Sequence, residues 1–146
     1  MKQVTIYTDG SSLGNPGSGG WAALLIYQNN HKEIFGYQDN ATNNQMELLA
    51  AIKALEALKT KCIVNLYTDS IYLKNGITKW IHNWLKNNWQ SANKKIVKNQ
   101  DLWQKLYQLT LKQEINWHWV KAHNGHKYNE KVDYLARNAA ENKINH

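Results

Sequence analysis

At 146 residues, 42% hydrophobic and 11% aromatic, the chain holds enough apolar material for one well-buried domain, residues 1–146, and too little length for two. It has no apolar run near the ~20 residues of a membrane span, no signal-peptide pattern, and a single cysteine, Cys62, so a reducing, cytoplasmic setting without a membrane partner is expected. The formal charge of +7 sits in one stretch: Ser70 to Gln113 holds eight lysines against one acid, Asp101, while the rest of the chain is balanced, the footprint expected of a polyanion binder.

The first apolar alternation, Val4 and Ile6, predicts a strand over 3–9 that ends in Tyr7-Thr8-Asp9. The loop that follows, Gly10 to Gly20, holds five glycines and Pro16; they let backbone amides approach a ligand, although the spacing matches neither a P-loop nor a dinucleotide fingerprint. Strands are predicted over 21–28 and 32–38, antiparallel about the turn Gln28-Asn29-Asn30-His31. A helix over 43–58, opened by a capping box of Thr42 and Gln45, then crosses over to a strand at 62–68. Helices over 71–79, 80–86 and 100–111, a strand over 115–120 and a last helix over 129–142 complete the chain. The class is α/β: a five-stranded mixed sheet flanked by helices. Trp80 and Trp84 share a helical stripe with Ile77, Ile81 and Leu85, so at least one of these indoles is expected to pack; Trp89, among Asn87, Asn88 and Gln90, shows no such pattern.

Two strands end in the same three residues, Tyr7-Thr8-Asp9 and Tyr67-Thr68-Asp69. Side by side and parallel, they would set the two carboxylates about 4.8 Å apart. Like charges so close resist joint ionisation unless a cation lies between them, which predicts a metal site at the carboxyl edge of the sheet. On the 43–58 helix, Glu47 projects roughly 150° from the polar stripe of Lys53, Glu56 and Thr60, and so toward the sheet. The helix dipole accounts for an acid near a helix start, though not for its direction. Asp133 and Arg137 lie along the margin of the stripe Val132, Leu135, Ala136, Ala139 and Ala140, where an i,i+4 ion pair explains both. Yet Arg137 is the sole arginine against seventeen lysines, and its planar fork suits a phosphate. His123, in the loop Lys121 to His126, is a candidate mobile proton-transfer group; its rivals are an ordinary surface histidine and a zinc pair with His126.

Tyr7-Thr8-Asp9-Gly10-Ser11, Gly14-Asn15-Pro16-Gly17, Thr42-Asn43-Asn44-Gln45-Met46-Glu47, Thr68-Asp69-Ser70, Trp80-Ile81-His82-Asn83-Trp84, Lys94-Lys95-x-Val97-Lys98-Asn99 and Trp119-Val120-Lys121-Ala122-His123 with Asn129-Glu130-x-x-Asp133 resemble, in order and spacing, bacterial ribonuclease HI. The resemblance implies a ribonuclease H-like fold and endonucleolytic cleavage of the RNA strand of RNA–DNA hybrids, leaving 5′-phosphate and 3′-hydroxyl ends. It implies that Asp9, Glu47, Asp69 and Asp133 hold two Mg²⁺ ions, with Asp9 shared, that Mn²⁺ can substitute, and that His123 assists proton transfer or product departure. For the substrate it implies a minor-groove surface of Gly10, Ser11, Asn15, Asn43, Asn44 and Gln45, and a DNA-phosphate pocket at Thr42 and Asn99. It implies a basic protrusion at about 80–99, where Lys94, Lys95 and Lys98 would grip the DNA strand, with Trp80 against its sugars; a monomer is expected. Departures fall at Leu85-Lys86-Asn87-Asn88 and near Asn40, where the family is more basic, at Ala122 and Asn124 beside the histidine, and at Ile71, where a polar side chain is frequent. A junction resolvase with a similar acidic cluster and a hybrid-binding module without catalysis are the alternatives.

Overall fold

A computed structural model describes residues 1–91, 93–121 and 126–145. The period-two pattern of β-branched and aromatic residues becomes five strands: β1 (Lys2–Ser12), β2 (Gly17–Tyr27), β3 (Asn30–Ala41), β4 (Cys62–Thr68) and β5 (Glu114–Trp119). They form one sheet in the order β3-β2-β1-β4-β5. The β1–β2 and β2–β3 pairs are antiparallel, whereas β1–β4 and β4–β5 are parallel. The helices are α1 (Asn43–Glu56), α2 (Ile71–Asn75), α3 (Ile81–Lys86), α4 (Gln100–Thr110) and α5 (Lys127–Asn142).

Both faces of the central strand are covered, which is why residues 6–9 of β1 are all buried in a row. On one face Ile6, Val64 and Leu66 meet α1 through Leu48, Ala51 and Leu55, and meet α4 through Trp103 and Leu106. On the other, Tyr7, Ala22 and Leu24 pack against Val132, Leu135 and Ala136 of α5. Trp103 is fully buried and sits against Gly76, where any Cβ would collide with the indole. The chain passes Gly76 in a π-helical turn, Gly76–Trp80, so the predicted helices at 71–79 and 80–86 form one continuous run with a wider turn at its middle.

Several boundaries differ from the sequence reading. Strand pairing continues through Ser11↔Gly20 and Ser12↔Gly19, so the predicted eleven-residue loop shrinks to residues 13–16, which include a cis Asn15–Pro16 bond. The glycines permit close packing there: a Cβ on Gly10 would strike the α1 backbone at Met46, and one on Gly20 the α5 backbone at Ala136. The β2–β3 turn narrows to Gln28-Asn29, with Gln28 left-handed at φ 55°. Helix α1 stops at Glu56 rather than 58, while α5 begins at Lys127, two residues early. Trp89 lies against Trp84, with ring centroids 6.0 Å apart, and packs on the main core despite its polar neighbours.

Candidate active site

Parallel pairing of β1 with β4 sets Tyr7 opposite Tyr67, and their rings stack at 4.8 Å. Two residues on, both strands reach the carboxyl edge of the sheet with an aspartate. Glu47 joins them because α1 presses on Gly10, which brings the second turn of the helix over the strand end. One carboxylate oxygen from each of Asp9, Glu47 and Asp69 falls within 4.8 Å of the others. Asp9 is 4% exposed and Glu47 9% exposed.

Burial pushes the Asp9 carboxyl well above the usual range, and the charges of Asp69 and Asp133 push it the same way. Burial likewise raises Glu47, reinforced by Asp9 and Asp69, while the Gly10 amide pulls both groups back in part. Asp133, from the α5 turn that faces β1, thus stands close enough to Asp9 for its charge to matter. Glu47 Oε1 is buried without any hydrogen-bond partner. Four acids crowded together, all offering oxygen, with one buried oxygen left unpaired, form a donor set that suits a hard divalent cation such as Mg²⁺ or Mn²⁺.

Arg137 directs both Nε (3.1 Å) and Nη2 (2.9 Å) onto Asp133 Oδ2. Its Nε and Nη2 donors are thus engaged by a carboxylate one helical turn away, while the guanidinium stays half-exposed. The hydrogen bond to Asp133, reinforced by its charge, raises the Arg137 guanidinium above its ordinary value.

Along the neighbouring surface, the capping box of Thr42 and Gln45 forms as the sequence requires: Gln45 N–H donates to Thr42 Oγ1 (3.1 Å) and Thr42 N–H to Gln45 Oε1 (3.0 Å). Asn43 Oδ1 accepts from Ser12 N–H (2.7 Å) and Asn15 Oδ1 from Asn43 N–H (3.2 Å), which ties the short loop after β1 to the start of α1. With both oxygens engaged, the amide donors of Asn15 and Asn43 are what remains for a ligand beside Gly10, Ser11 and the exposed Asn44. Asn99 occupies the N-cap position of α4 in a left-handed conformation, φ 60°, but its side chain makes no cap bond. Instead it reaches Gln45 and Tyr72.

Trp80 is 38% exposed and packs edge-on to Tyr72. Lys94, Lys95 and Lys98 are exposed, and none forms an ion pair among the described residues. His123 lies outside the described residues. Sequence reading missed Trp119, whose Nε1–H donates to the Asp69 carbonyl (3.2 Å) and so braces the chain at that aspartate. It also missed Tyr72. Trp119 was legible only in part, since it lies in the strand predicted over 115–120 but the sequence does not say which strand that one pairs with.

The sequence model of the family described as RNase H matches residues 1–141. A Ribonuclease H of Wolbachia sp. subsp. Drosophila simulans (strain wRi) is 55% identical over 138 residues, 94% of this chain and 95% of that protein. One from Rhodopseudomonas palustris (strain BisB5) is 57% identical over 137 residues, 94% of this chain and 91% of that one. Among solved structures, LC9-RNase H1, described as a type 1 RNase H with the type 2 active-site motif, superposes with a TM-score of 0.90 at 30% identity, covering 99% of this chain and 74% of that chain.

Proposed function

The chain belongs to the RNase H family, and from that premise we propose that it is a metal-dependent endonuclease that hydrolyses the RNA strand of RNA–DNA hybrids. The observation that carries this reading is the cluster of Asp9, Glu47 and Asp69 within 4.8 Å at the carboxyl edge of the sheet. A protein that only bound nucleic acid would gain affinity by losing these charges, since each repels the phosphates it must sit beside. The curated relatives named Ribonuclease H cover nearly the full chain, which favours this reading over a junction resolvase.

In the proposed site Asp9, Glu47, Asp69 and Asp133 would hold two Mg²⁺ ions. When bound, the ions supply a lowered pKa for an attacking water and charge neutralisation at the departing 3′ oxygen, which gives 5′-phosphate and 3′-hydroxyl products. Asp9 would be the ligand most central to the set, since the charges of Asp69, Asp133 and Glu47 all bear on it. The protein's own part is to place groups rather than to attack, as phosphodiester hydrolysis requires. Asp69 is held by its strand and by Trp119, and Asp133 by Arg137. His123 is the proposed proton-transfer or product-release group.

Substrate recognition follows from the donors at the short loop and the start of α1. The 2′-hydroxyl distinguishes RNA at the minor groove, and Gly10, Ser11, Asn15, Asn43, Asn44 and Gln45 offer the small size, hydroxyl and amide groups to read it. Thr42 and Asn99 take a DNA-strand phosphate, Trp80 meets the sugars, and Lys94, Lys95 and Lys98 supply charge along the strand.

End-labelled RNA–DNA, RNA–RNA and DNA–DNA duplexes, each incubated with Mg²⁺ and with EDTA, test the assignment. RNA of the hybrid is expected to be cut only with Mg²⁺, and the other two duplexes spared. Survival of the hybrid in Mg²⁺ refutes the activity, and cutting of DNA–DNA in its place favours the resolvase alternative.

A further inference from the structure

A chain of hydrogen bonds with every direction fixed from one backbone amide ends at the hydroxyl of Tyr72. The Thr42 N–H can only donate, and it meets Gln45 Oε1 at 3.0 Å, so the other half of that carboxamide, Nε2, faces Asn99 at 3.5 Å. A donor must meet an acceptor, so Asn99 shows Oδ1 to Gln45 and turns Nδ2 to Tyr72 Oη at 3.1 Å. Trp103 Nε1, which also can only donate, reaches the same oxygen at 3.0 Å. Tyr72 Oη therefore accepts twice. If the Asn99 amide flipped, it would set donor against donor at Gln45.

Counting hydrogens shows what this arrangement leaves over. Asn99 keeps one Nδ2 hydrogen and Gln45 one Nε2 hydrogen. Thr42 keeps its hydroxyl hydrogen, because its oxygen accepts from Gln45 N–H. Gln45 and Asn99 border a hollow of about 550 Å³, with Asp101 on its wall and Ile96 and Val97 beside them. These three neutral donor hydrogens suit an anionic oxygen, one placed clear of the Asp101 carboxylate on the same wall.

We propose that Tyr72 is a positioning residue for nucleic-acid binding: by accepting from Asn99 and from Trp103 at once, it holds the Asn99 carboxamide with its remaining N–H toward a substrate phosphate. This rests on the reading in which Thr42 and Asn99 take a DNA-strand phosphate. The rival is that Tyr72 only packs, its ring 5.3 Å from that of Trp103 and 5.8 Å from that of Trp80. A phenylalanine keeps that packing and lacks only the hydroxyl, so Tyr72→Phe separates the two roles.

The experiment is steady-state cleavage by wild type, Tyr72→Phe, Asn99→Ala and the double variant on a set of hybrids, each with one DNA-strand phosphate replaced by a neutral methylphosphonate. On the unmodified hybrid, Tyr72→Phe raises KM about fivefold, the effect of one misdirected hydrogen bond, with the change in KM rather than kcat. The double variant is no worse than Asn99→Ala, because Tyr72 acts through Asn99. The one methylphosphonate position that weakens wild type no longer discriminates in either single variant. A wild-type KM in Tyr72→Phe, additive losses in the double variant, or full sensitivity at that position overturns the proposal. Thermal unfolding checks that the variant folds, since Trp103 Nε1 loses its acceptor; should it not fold, Gln45→Met frees Asn99 from the opposite side, and because Gln45 also stands at the minor groove only the methylphosphonate pattern is read there: lost discrimination at that position supports the proposal and retained discrimination overturns it. Wild type that leaves every hybrid intact would refute the nuclease assignment instead, so the two failures are distinct.

Discussion

Asp9 and Glu47 destabilise the metal-free fold at the positions where they are needed. Their folded-state pKa values lie above those of an unfolded chain, near 4. Between that value and the raised ones the folded protein holds more protons than the unfolded chain. The stability tied to these groups is therefore complete below about pH 4 and is lost as pH rises through the raised folded values. Asp9→Asn removes one charge without changing shape. In EDTA at neutral pH the variant is expected to melt higher than wild type, by about 2–4 °C for each kcal/mol of repulsion relieved, and the gap should close as pH falls toward 4. Mg²⁺ should raise the wild-type Tm more than that of the variant. Melting curves across this pH range decide it, and a variant less stable than wild type at pH 7 in EDTA would contradict the electrostatic account. Glu47 was legible in the sequence because helical phase alone aims it at the sheet. Tyr72 was not, because its partners Asn99 and Trp103 lie 27 and 31 residues away and no local pattern ties them to it.

Among the elements, those with strong periodicity were legible and those shaped by contact were not. The β4 pattern and the apolar stripe of α5 set their own buried faces, and Val132, Leu135, Ala136, Ala139 and Ala140 are all buried. The glycine-rich stretch after Asp9 reads as a ligand loop in one dimension, yet most of it is strand. Gly10, Gly19 and Gly20 answer to α1 and α5, which no single-sequence pattern reveals. The π-helical turn at Gly76–Trp80 likewise accompanies the bulk of Trp103 behind Gly76, a long-range cause. In the lysine-rich stretch the tryptophans divide: Trp103 is core, Trp84 and Trp89 pack on it, and Trp80 stays 38% exposed. Lys94, Lys95 and Lys98 are among the lysines that remain outward and charged. Replacing all three with alanine is expected to flatten the plot of log affinity against log salt by up to about three units, since each phosphate contact contributes nearly one. Hybrid binding measured across a salt series in EDTA checks this. An unchanged slope would make the segment a solvated face and nothing more.

At the scale of the whole molecule, one topological fact organises the site. Because β1 and β4 run parallel and adjacent, their carboxyl ends open on the same edge of the sheet, and the repeated Tyr-Thr-Asp becomes a pair of facing acids over stacked tyrosines. Helix α1 on one face and α5 on the other then reach that edge with Glu47 and Asp133. The lysines lie in a separate segment, so the chain keeps an acidic centre for metal apart from the basic surface that draws in a polyanion. The division predicts that chemistry and binding separate under mutation. The most direct test is single-turnover cleavage of an end-labelled RNA–DNA hybrid by wild type and Asp9→Asn in Mg²⁺, with the affinity of each for the same hybrid measured in EDTA. The account predicts that Asp9→Asn binds the hybrid about as tightly as wild type and cuts it at least about a thousandfold more slowly, the order expected when preorganised charge stabilisation is removed. Cleavage near the wild-type rate, or loss of hybrid binding along with cleavage, would contradict it.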